Sequence, residues 1–574
     1  MASLCAGLIL WHGHMKPILV GVKLNSEKSD FYCDVVVVGG GLAALSAAIS
    51  AVDNGATVLL INKGITGESG SSAKAAGILA AAFGHGDLET RPVPDTPNKH
   101  ARDTLDVGYN IGDPKLVNFV TEQATSAIRW LENLGVEFSR AEDGGYIQLN
   151  APGNSCPRAV SAIGGGQAIV SALLRQAKAR GVMFLDETIV RDIKPIDGNQ
   201  FLVELQGRRR ATIAAGAAVL AAGGATGLFP TVSGDEGNIG TSIMLGYDIG
   251  AAIKNLEFVE FTLIYRVKSK ILRIAGMAPF LSRGGKLIND IGEDLFGLHF
   301  PNKKSEQVGR AEILRLVEQE IFNNKGPIYL DCTHFSDLTW QEFEGSQGTT
   351  TLDKLTEAGC DYRTEKIEVI PAAHSVLAGI EIDTNGQTTI PGIFAAGENA
   401  TGIHGAGRLS GNGLTACAVM GRTAGLSASE YANNEQGKRR SVAVQKTLSS
   451  KQLNKSLNII EGQSQASNTN LEIRASMDTV KEIVGNNLGI IRSELSLTEG
   501  QKQLSNLWLE IKDFDKQNKD AFELHQMVRL ANLMIKAASQ RTESRGVQFR
   551  SDFDKLDNSW AKTQTLVKAL SHSP

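Results

Sequence analysis

Gly39-x-Gly41-x-x-Ala44 closes a β-branched run, Cys33 to Val38, and opens a helical one. Residues of this type at this spacing serve one chemistry. The first glycine makes a tight turn, the second lets the backbone approach a pyrophosphate, and the small third residue packs helix on strand. The free N–H groups of the helix N-terminus then face the phosphates. The motif therefore points to a bound dinucleotide. An acid that would hold the ribose of NAD belongs at the end of the second strand, where the chain reads Asn62-Lys63. Asn62 offers hydrogen bonds but no charge, which argues against NAD. The six cysteines (Cys5, Cys33, Cys156, Cys332, Cys360, Cys417) lack the C-x-x-C spacing of zinc or iron–sulfur sites, so reduced thiols and no metal are expected.

Elements must hold this motif. CDVVVV is apolar on both faces, as in a strand buried within a parallel sheet. LAALSAAISAVDNG follows with helical spacing and stops at Asn54-Gly55, before a second strand, ATVLLIN. The folded part thus begins with a βαβ unit. AAVLAAGG (Ala217 to Gly224) and GIFAAGEN (from Gly392) read as further buried strands, ending in glycine at the carboxyl ends where α/β ligands bind. Between Glu257 and Ile370 the pattern loosens into mixed segments, as in an inserted domain. EGQSQASNTN after Ile460 reads as a linker. Beyond it, Met477, Val480, Ile483 and Val484 share one helical face, as do Met527, Leu530 and Met534.

A chain of 574 residues is too long for one core. Fifty-eight basic and sixty-two acidic residues leave a net charge of -4, without the basic footprint of a nucleic-acid binder. An apolar stretch from Ala2 to Trp11 has neither a basic region before it nor a clear cleavage site after it. The segment before Asp34 is either a tail or an over-extended start, with Met15 as a second initiator. No later stretch is apolar enough to span a bilayer, and a cytoplasmic protein without an integral membrane segment is expected.

Beyond the opening GGGLAALSAA, the chain carries GSSAKAAGI (Gly70 to Ile78), VLAAGGATGLF, NLEFVEF (Asn255 to Phe261) and SRGGKLIND (Ser282 to Asp290). Later come PAAHSVLAGI (Pro371 to Ile380), GIFAAGENATGIHGAGRLSGNGL (Gly392 to Leu414) and TESRG (Thr542 to Gly546). In this order the segments resemble the flavoprotein subunits of succinate dehydrogenase and fumarate reductase, a family that includes L-aspartate oxidase. The resemblance covers nearly the whole chain. It implies an α/β fold: a Rossmann-type FAD-binding domain with an inserted α+β capping domain and a C-terminal helical domain. The expected divisions are a tail over 1–32, FAD-binding parts over 33–256 and 371–435, a cap over 257–370 and a helical packing domain over 436–574.

By the same resemblance FAD spans Gly39, Gly41, Ala44, Asn62, Lys63, Ser71, Ser72, Gly77, Gly223, Glu398, Asn412, Gly413 and Leu414. Glu398 matches an acid that bonds a ribose hydroxyl and would make up for the neutral Asn62. Gly70 stands where respiratory relatives link a histidine to the flavin, so noncovalent FAD is implied. The family uses a proton-shuttling arginine, and a histidine and a second arginine that hold carboxylates; Arg283, His374 and Arg408 match these. A guanidinium grips a carboxylate as a bidentate fork and an imidazole donates to another oxygen. Arginine hardly deprotonates, so Arg283 as proton donor needs an acid behind it.

Several departures from the family pattern bear on substrate. Thr262 stands where the family has a carboxylate-binding histidine, and Glu260 where it has glutamine, which places a negative charge beside an acid-binding site. Glu260 either favours a substrate with an amine or neutral end or is a glutamate salt-bridged inside the insert. The segment with which aspartate oxidases recognise aspartate reads APGNSCPR, without its acid, and TESRG runs into Val547-Gln548 where the family has histidine. The expectation is an FAD-dependent oxidoreductase of fumarate reductase or succinate dehydrogenase type. It would act on a small carboxylic acid, expected to be dicarboxylic, by hydride transfer at flavin N5. Glu260, Thr262, His374 and Arg408 would line the substrate. The alternatives are L-aspartate oxidase, serving NAD synthesis, and a non-catalytic FAD-binding partner subunit. A separate electron-transfer protein is a further candidate partner.

Overall fold

The computed structural model describes residues 31–83, 95–196, 200–207, 210–274, 277–303, 308–344, 349–434, 468–562 and 565–566. Met15, the apolar N-terminal stretch and most of the linker-like segment after Ile460 lie outside the described residues.

The strand Phe31–Val38 lies between Val58–Ile61 and Arg210–Leu220, parallel to both, with Val36 opposite Leu59 and Ala218. Met183–Leu185 extends one side, the antiparallel strands Gln200–Gln206 and Ile189–Ile196 the other, and Ile393–Ala395 joins Arg210–Leu220 in parallel, completing a seven-stranded sheet. Val35, Val36 and Val37 are fully buried, as expected of a strand covered on both faces. Pairing begins at Phe31 and Tyr32, opposite Ile213 and Ala214, so the expected tail over 1–32 ends inside this strand. The helix Leu42–Asp53 follows Gly41 and packs against Asn412–Asn433. Their backbones meet closely: a Cβ on Gly425 would lie 2.1 Å from Ala47 O, and one on Gly421 2.6 Å from Ala43 O. The glycine and alanine content of both helices is what permits this approach.

Between the two parts of this α/β unit stands a five-stranded antiparallel sheet, ordered Lys270–Leu272, Val259–Val267, Ile367–Val376, Ile328–Asp331, Lys286–Ile288, with the helix Arg310–Phe322 against it. It is the α+β cap. The expected seam at 370/371 falls inside Ile367–Val376, which pairs first with Ile328–Leu330 and along its length with Val259–Arg266. One continuous strand therefore carries the chain from cap back toward the sheet. At the C-terminus the helices Asn468–Asn487, Glu494–Ile511 and Lys519–Gln540 pack together, burying Val480, Val484, Leu530 and Met534 completely, while Met477 is only partly covered. Among the described residues no helix is long and apolar enough to cross a membrane, and no cluster of His, Cys, Asp or Glu is placed to hold a metal ion.

Candidate active site

The nucleotide end is built from missing side chains. Gly39 has φ 125°, and a Cβ there would sit 2.2 Å from Ala221 O. Only glycine lets these strand ends touch. Gly41 caps the helix Leu42–Asp53 without a side-chain bond; Leu42 N donates to Ser72 Oγ at 3.1 Å, and the first turn holds no acid. The turn's remaining N–H groups have no partner within the helix, which makes this end an anion receptor. Ala44 is buried beneath it. Ser71 Oγ accepts from Asn238 Nδ2 at 2.8 Å, Gly77 lies against the backbone of Gly165, and Gly223 has φ 81°.

A second open helix N-terminus faces the site. Gly411 caps Asn412–Asn433 in the left-handed region with no side-chain cap, leaving Asn412, Gly413 and Leu414 as the first turn. The Asn412 side chain is already used: His100 Nε2 lies 2.7 Å from its Oδ1, and its Nδ2 donates to Thr104 Oγ1 at 2.8 Å. Glu398 accepts from Val376 N at 3.0 Å and lies so near Gly224 that a Cβ there would be 2.3 Å from Oε1. Burial pushes its carboxyl above the ordinary range. Two open helix ends, glycine surfaces and one partly committed acid fit a flavin dinucleotide. Asn62 and Lys63 are turned to the protein, with Asn62 Nδ2 3.1 Å from Ser69 Oγ and Lys63 Nζ 3.1 Å from Glu523.

The end expected from the sequence to bind an acid is charged. Between Val259–Val267 and Ile367–Val376 the register slips: Glu260 opposes Ser375, but Phe261 opposes Ala373. His374 is the extra residue of this bulge, a geometry that re-aims a side chain next to a site. Its Nδ1 lies 2.8 Å from Ser233 Oγ. Across from it Arg408 Nη2 donates to Glu260 Oε2 at 2.9 Å, while Arg310 Nη1 faces Glu260 Oε1 at 3.1 Å. Burial alone would raise the Glu260 pKa, but Arg408 and Arg310, with His374 and His404, bring it down to about 2. Burial lowers His374 and His404 to about 3, and Arg408 adds to both shifts, so both rings are neutral near pH 7. Thr262 is buried two residues beyond Glu260, opposite Ala372.

His374, Arg408 and Glu260 thus come together as expected from the sequence, and Arg283 does not join them. Its Nη1 donates to Pro279 O at 3.0 Å and its guanidinium lies 5.1 Å over the Phe343 ring. No hydrogen bond or ion pair among the described residues links it to the cluster. The arginine that reaches Glu260 from the cap is Arg310, the first residue of the helix Arg310–Phe322. Sequence reasoning missed it because VGRAEILRL looks like any amphipathic helix start. It also missed His404 and Ser233, and a buried network behind the site. There Arg541 pairs with Glu257 at 2.6 Å and Glu543 at 2.7 Å, and Arg545 with Glu543 at 2.7 Å. Gln548, in the place of the family histidine, accepts from Arg492 and donates to Ala538 O. Val547 N donates to Ala406 O at 2.9 Å, tying this segment to the loop of Arg408.

Comparison with known proteins gives the family and the fold. A family model described as FAD binding domain matches residues 34–414, and one described as fumarate reductase flavoprotein C-term matches 477–573. A fumarate reductase (CoM/CoB) subunit from Methanothermobacter marburgensis is 30% identical over 562 residues, covering 95% of this chain and 98% of that one. L-aspartate oxidase of Pseudomonas aeruginosa is 28% identical over 549 residues, 91% of this chain and 96% of its own. Among solved structures, Mycobacterium smegmatis Sdh1 in complex with UQ1 superposes with a TM-score of 0.76 at 25% identity, over 93% of this chain and 94% of that one. A variant of E. coli quinol fumarate reductase FrdA shares the fold, with a TM-score of 0.77 at 24% identity over 94% and 96% of the two chains.

Proposed function

The chain belongs to the family of FAD-binding flavoprotein oxidoreductases with a fumarate reductase C-terminal region, and from this premise we propose that it interconverts a small unsaturated carboxylic acid and its saturated counterpart. In the reducing direction the C=C π bond breaks and two C–H bonds form, one from a hydride of reduced FAD and one from a proton. The chain's residues supply grip and orientation. Arg408 anchors the acid's carboxylate beside the open end of the helix Asn412–Asn433, and the bond to Ser233 fixes the plane of the His374 ring that donates to it. Arg310 takes the proton-handling place that the family resemblance assigned to Arg283, with Glu260 as the acid behind it. FAD is held noncovalently, since Gly70 has no side chain to bond it. A separate electron-transfer protein exchanges electrons with the flavin.

The observation that carries this reading is the convergence of Arg408, Arg310 and His374 around one buried carboxylate next to the flavin cradle. The test is anaerobic: the purified holoprotein is reduced, unsaturated acids are added, and flavin reoxidation is followed by absorbance. Rapid reoxidation by one acid, lost in Arg408→Ala, supports the reading; indifference to every acid in both directions ends it. Oxidation of L-aspartate is a second reading, motivated by the relatives of that name. It is favoured if aspartate alone yields iminoaspartate.

A further inference from the structure

Around Glu260 the charges nearly close on themselves. Oε2 accepts from Arg408 Nη2 at 2.9 Å, and Oε1 faces Arg310 Nη1 at 3.1 Å, out of hydrogen-bonding alignment. Both carboxylate oxygens are engaged, and one of the two guanidinium charges is cancelled. His374 and His404 are neutral near pH 7 and add no charge. Glu398 is committed on the cofactor side to Val376 N at 3.0 Å. Three buried polar atoms of the cluster have no hydrogen-bond partner in the protein: Arg408 Nε, Arg310 Nη1 and His404 Nδ1. Buried polar atoms without partners are costly, so these groups are arranged for something the chain does not supply. What remains is one net positive charge, which one more carboxylate would balance.

We propose that Glu260 sets the substrate class: the site takes an α,β-unsaturated monocarboxylic acid or its saturated counterpart, and turns away dicarboxylates and amino acids. The inference rests on the carboxylic-acid reading above and narrows it. A second substrate carboxylate would meet the ionised Glu260 in a region screened from water, where like charges repel strongly. Thr262, in place of a histidine, offers no charge to offset it. An ammonium group fares no better. Both guanidiniums stand beside the Glu260 carboxylate and would repel the ammonium.

The test compares acids on the same reduced holoprotein. Acrylate and crotonate represent the monocarboxylates and fumarate the dicarboxylates, each read as flavin reoxidation; L-aspartate is tried on the oxidised form. The better monocarboxylate is expected to exceed fumarate in kcat/KM by at least about tenfold, a difference of about 1.4 kcal/mol. Glu260→Gln keeps the size but removes the charge, and is expected to move that ratio toward fumarate by about tenfold or more. Fumarate outrunning both monocarboxylates in the wild type overturns this inference and leaves the broader reading standing; so does an unchanged ratio in a fully flavinated Glu260→Gln protein. Silence toward every acid overturns both. If Glu260→Gln does not fold, the oxidised wild-type holoprotein still decides. Butyrate should perturb the flavin spectrum at a lower concentration than succinate, and the reverse order refutes the proposal.

Discussion

Arg408 Nη2 and Glu260 Oε2 meet at 2.9 Å across a separation of 148 positions in the chain. The bond joins the loop before Asn412–Asn433 to the first long strand of the cap, so these two parts of the molecule are fastened together at this point. A guanidinium held by a carboxylate from its own chain is ordered before the ligand arrives, which lessens the entropy lost on binding.

Arg310, by this geometry, matters to turnover and Arg283 does not. Arg310→Ala and Arg408→Ala should each lower kcat/KM by about a hundredfold or more, the scale of losing a preorganised donor at a reacting centre. Arg283→Ala should stay within about threefold of wild type, because its bonds run to Pro279 O and the Phe343 ring. Steady-state kinetics on the three variants, each checked for flavin content, decides; a collapse confined to Arg283→Ala would return the proton-handling role to that residue.

Stability should fall as the solution is acidified below neutrality. His100 is fully buried, and burial, with Arg158 nearby, lowers its pKa to about 4 despite the bond to Asn412. In the unfolded chain it titrates near 6.5, so between pH 6.5 and 4 the unfolded state binds more protons. The stabilisation is therefore complete above 6.5 and declines through that window, by roughly 2 kcal/mol at pH 5 for this residue. His374 and His404, at about 3, act in the same direction. Denaturant midpoints at pH 7 and pH 5 should show a shallower drop in His100→Gln than in wild type; equal drops contradict the assignment.

The nucleotide end is legible in sequence because a missing Cβ leaves its mark there: Gly39 and Gly41 are glycines for reasons of local contact with Ala221 and Ser72. His374 and Arg408 are legible only through the resemblance of the segments that carry them, PAAHSVLAGI and GIFAAGENATGIHGAGRLSGNGL, to the family. Arg310 is not. Its place beside Glu260 depends on how the helix Arg310–Phe322 docks on the cap sheet, a long-range event with no local signature. Asn62 and Lys63 sit at the expected strand end, yet their side chains follow nearer partners, Ser69 and Glu523. The seam at 370 is misplaced because a strand serving two neighbours shows no break in its pattern.

The flavin should leave the protein when the fold is lost. Gly70 has φ 92°, its N–H donates to Asp235 Oδ2 at 2.9 Å, and it has no side chain that could bond the flavin. Acid precipitation should leave all of the yellow colour in the supernatant. A fluorescent protein band on a denaturing gel would reveal a covalent bond and a different anchor.

The buried network behind the site should brace it. Glu257 and Arg541 are both fully buried and pair at 2.6 Å, and Glu257 lies three residues before Glu260 at the entrance to the strand Val259–Val267. Removing one partner strands a charge away from water, at a cost of about 3–5 kcal/mol, whereas removing both replaces it with apolar surface. Arg541→Met alone should therefore lower the denaturation midpoint sharply, and adding Glu257→Met should recover part of the loss. Because Val547 N also holds Ala406 O at 2.9 Å, the single variant should raise KM for the acid as the Arg408 loop loosens. Urea titrations of wild type, single and double variants measure the first effect, and kinetics on the folded proteins the second. A single variant as stable as wild type would mean that the C-terminal helices do not brace the site through this pair.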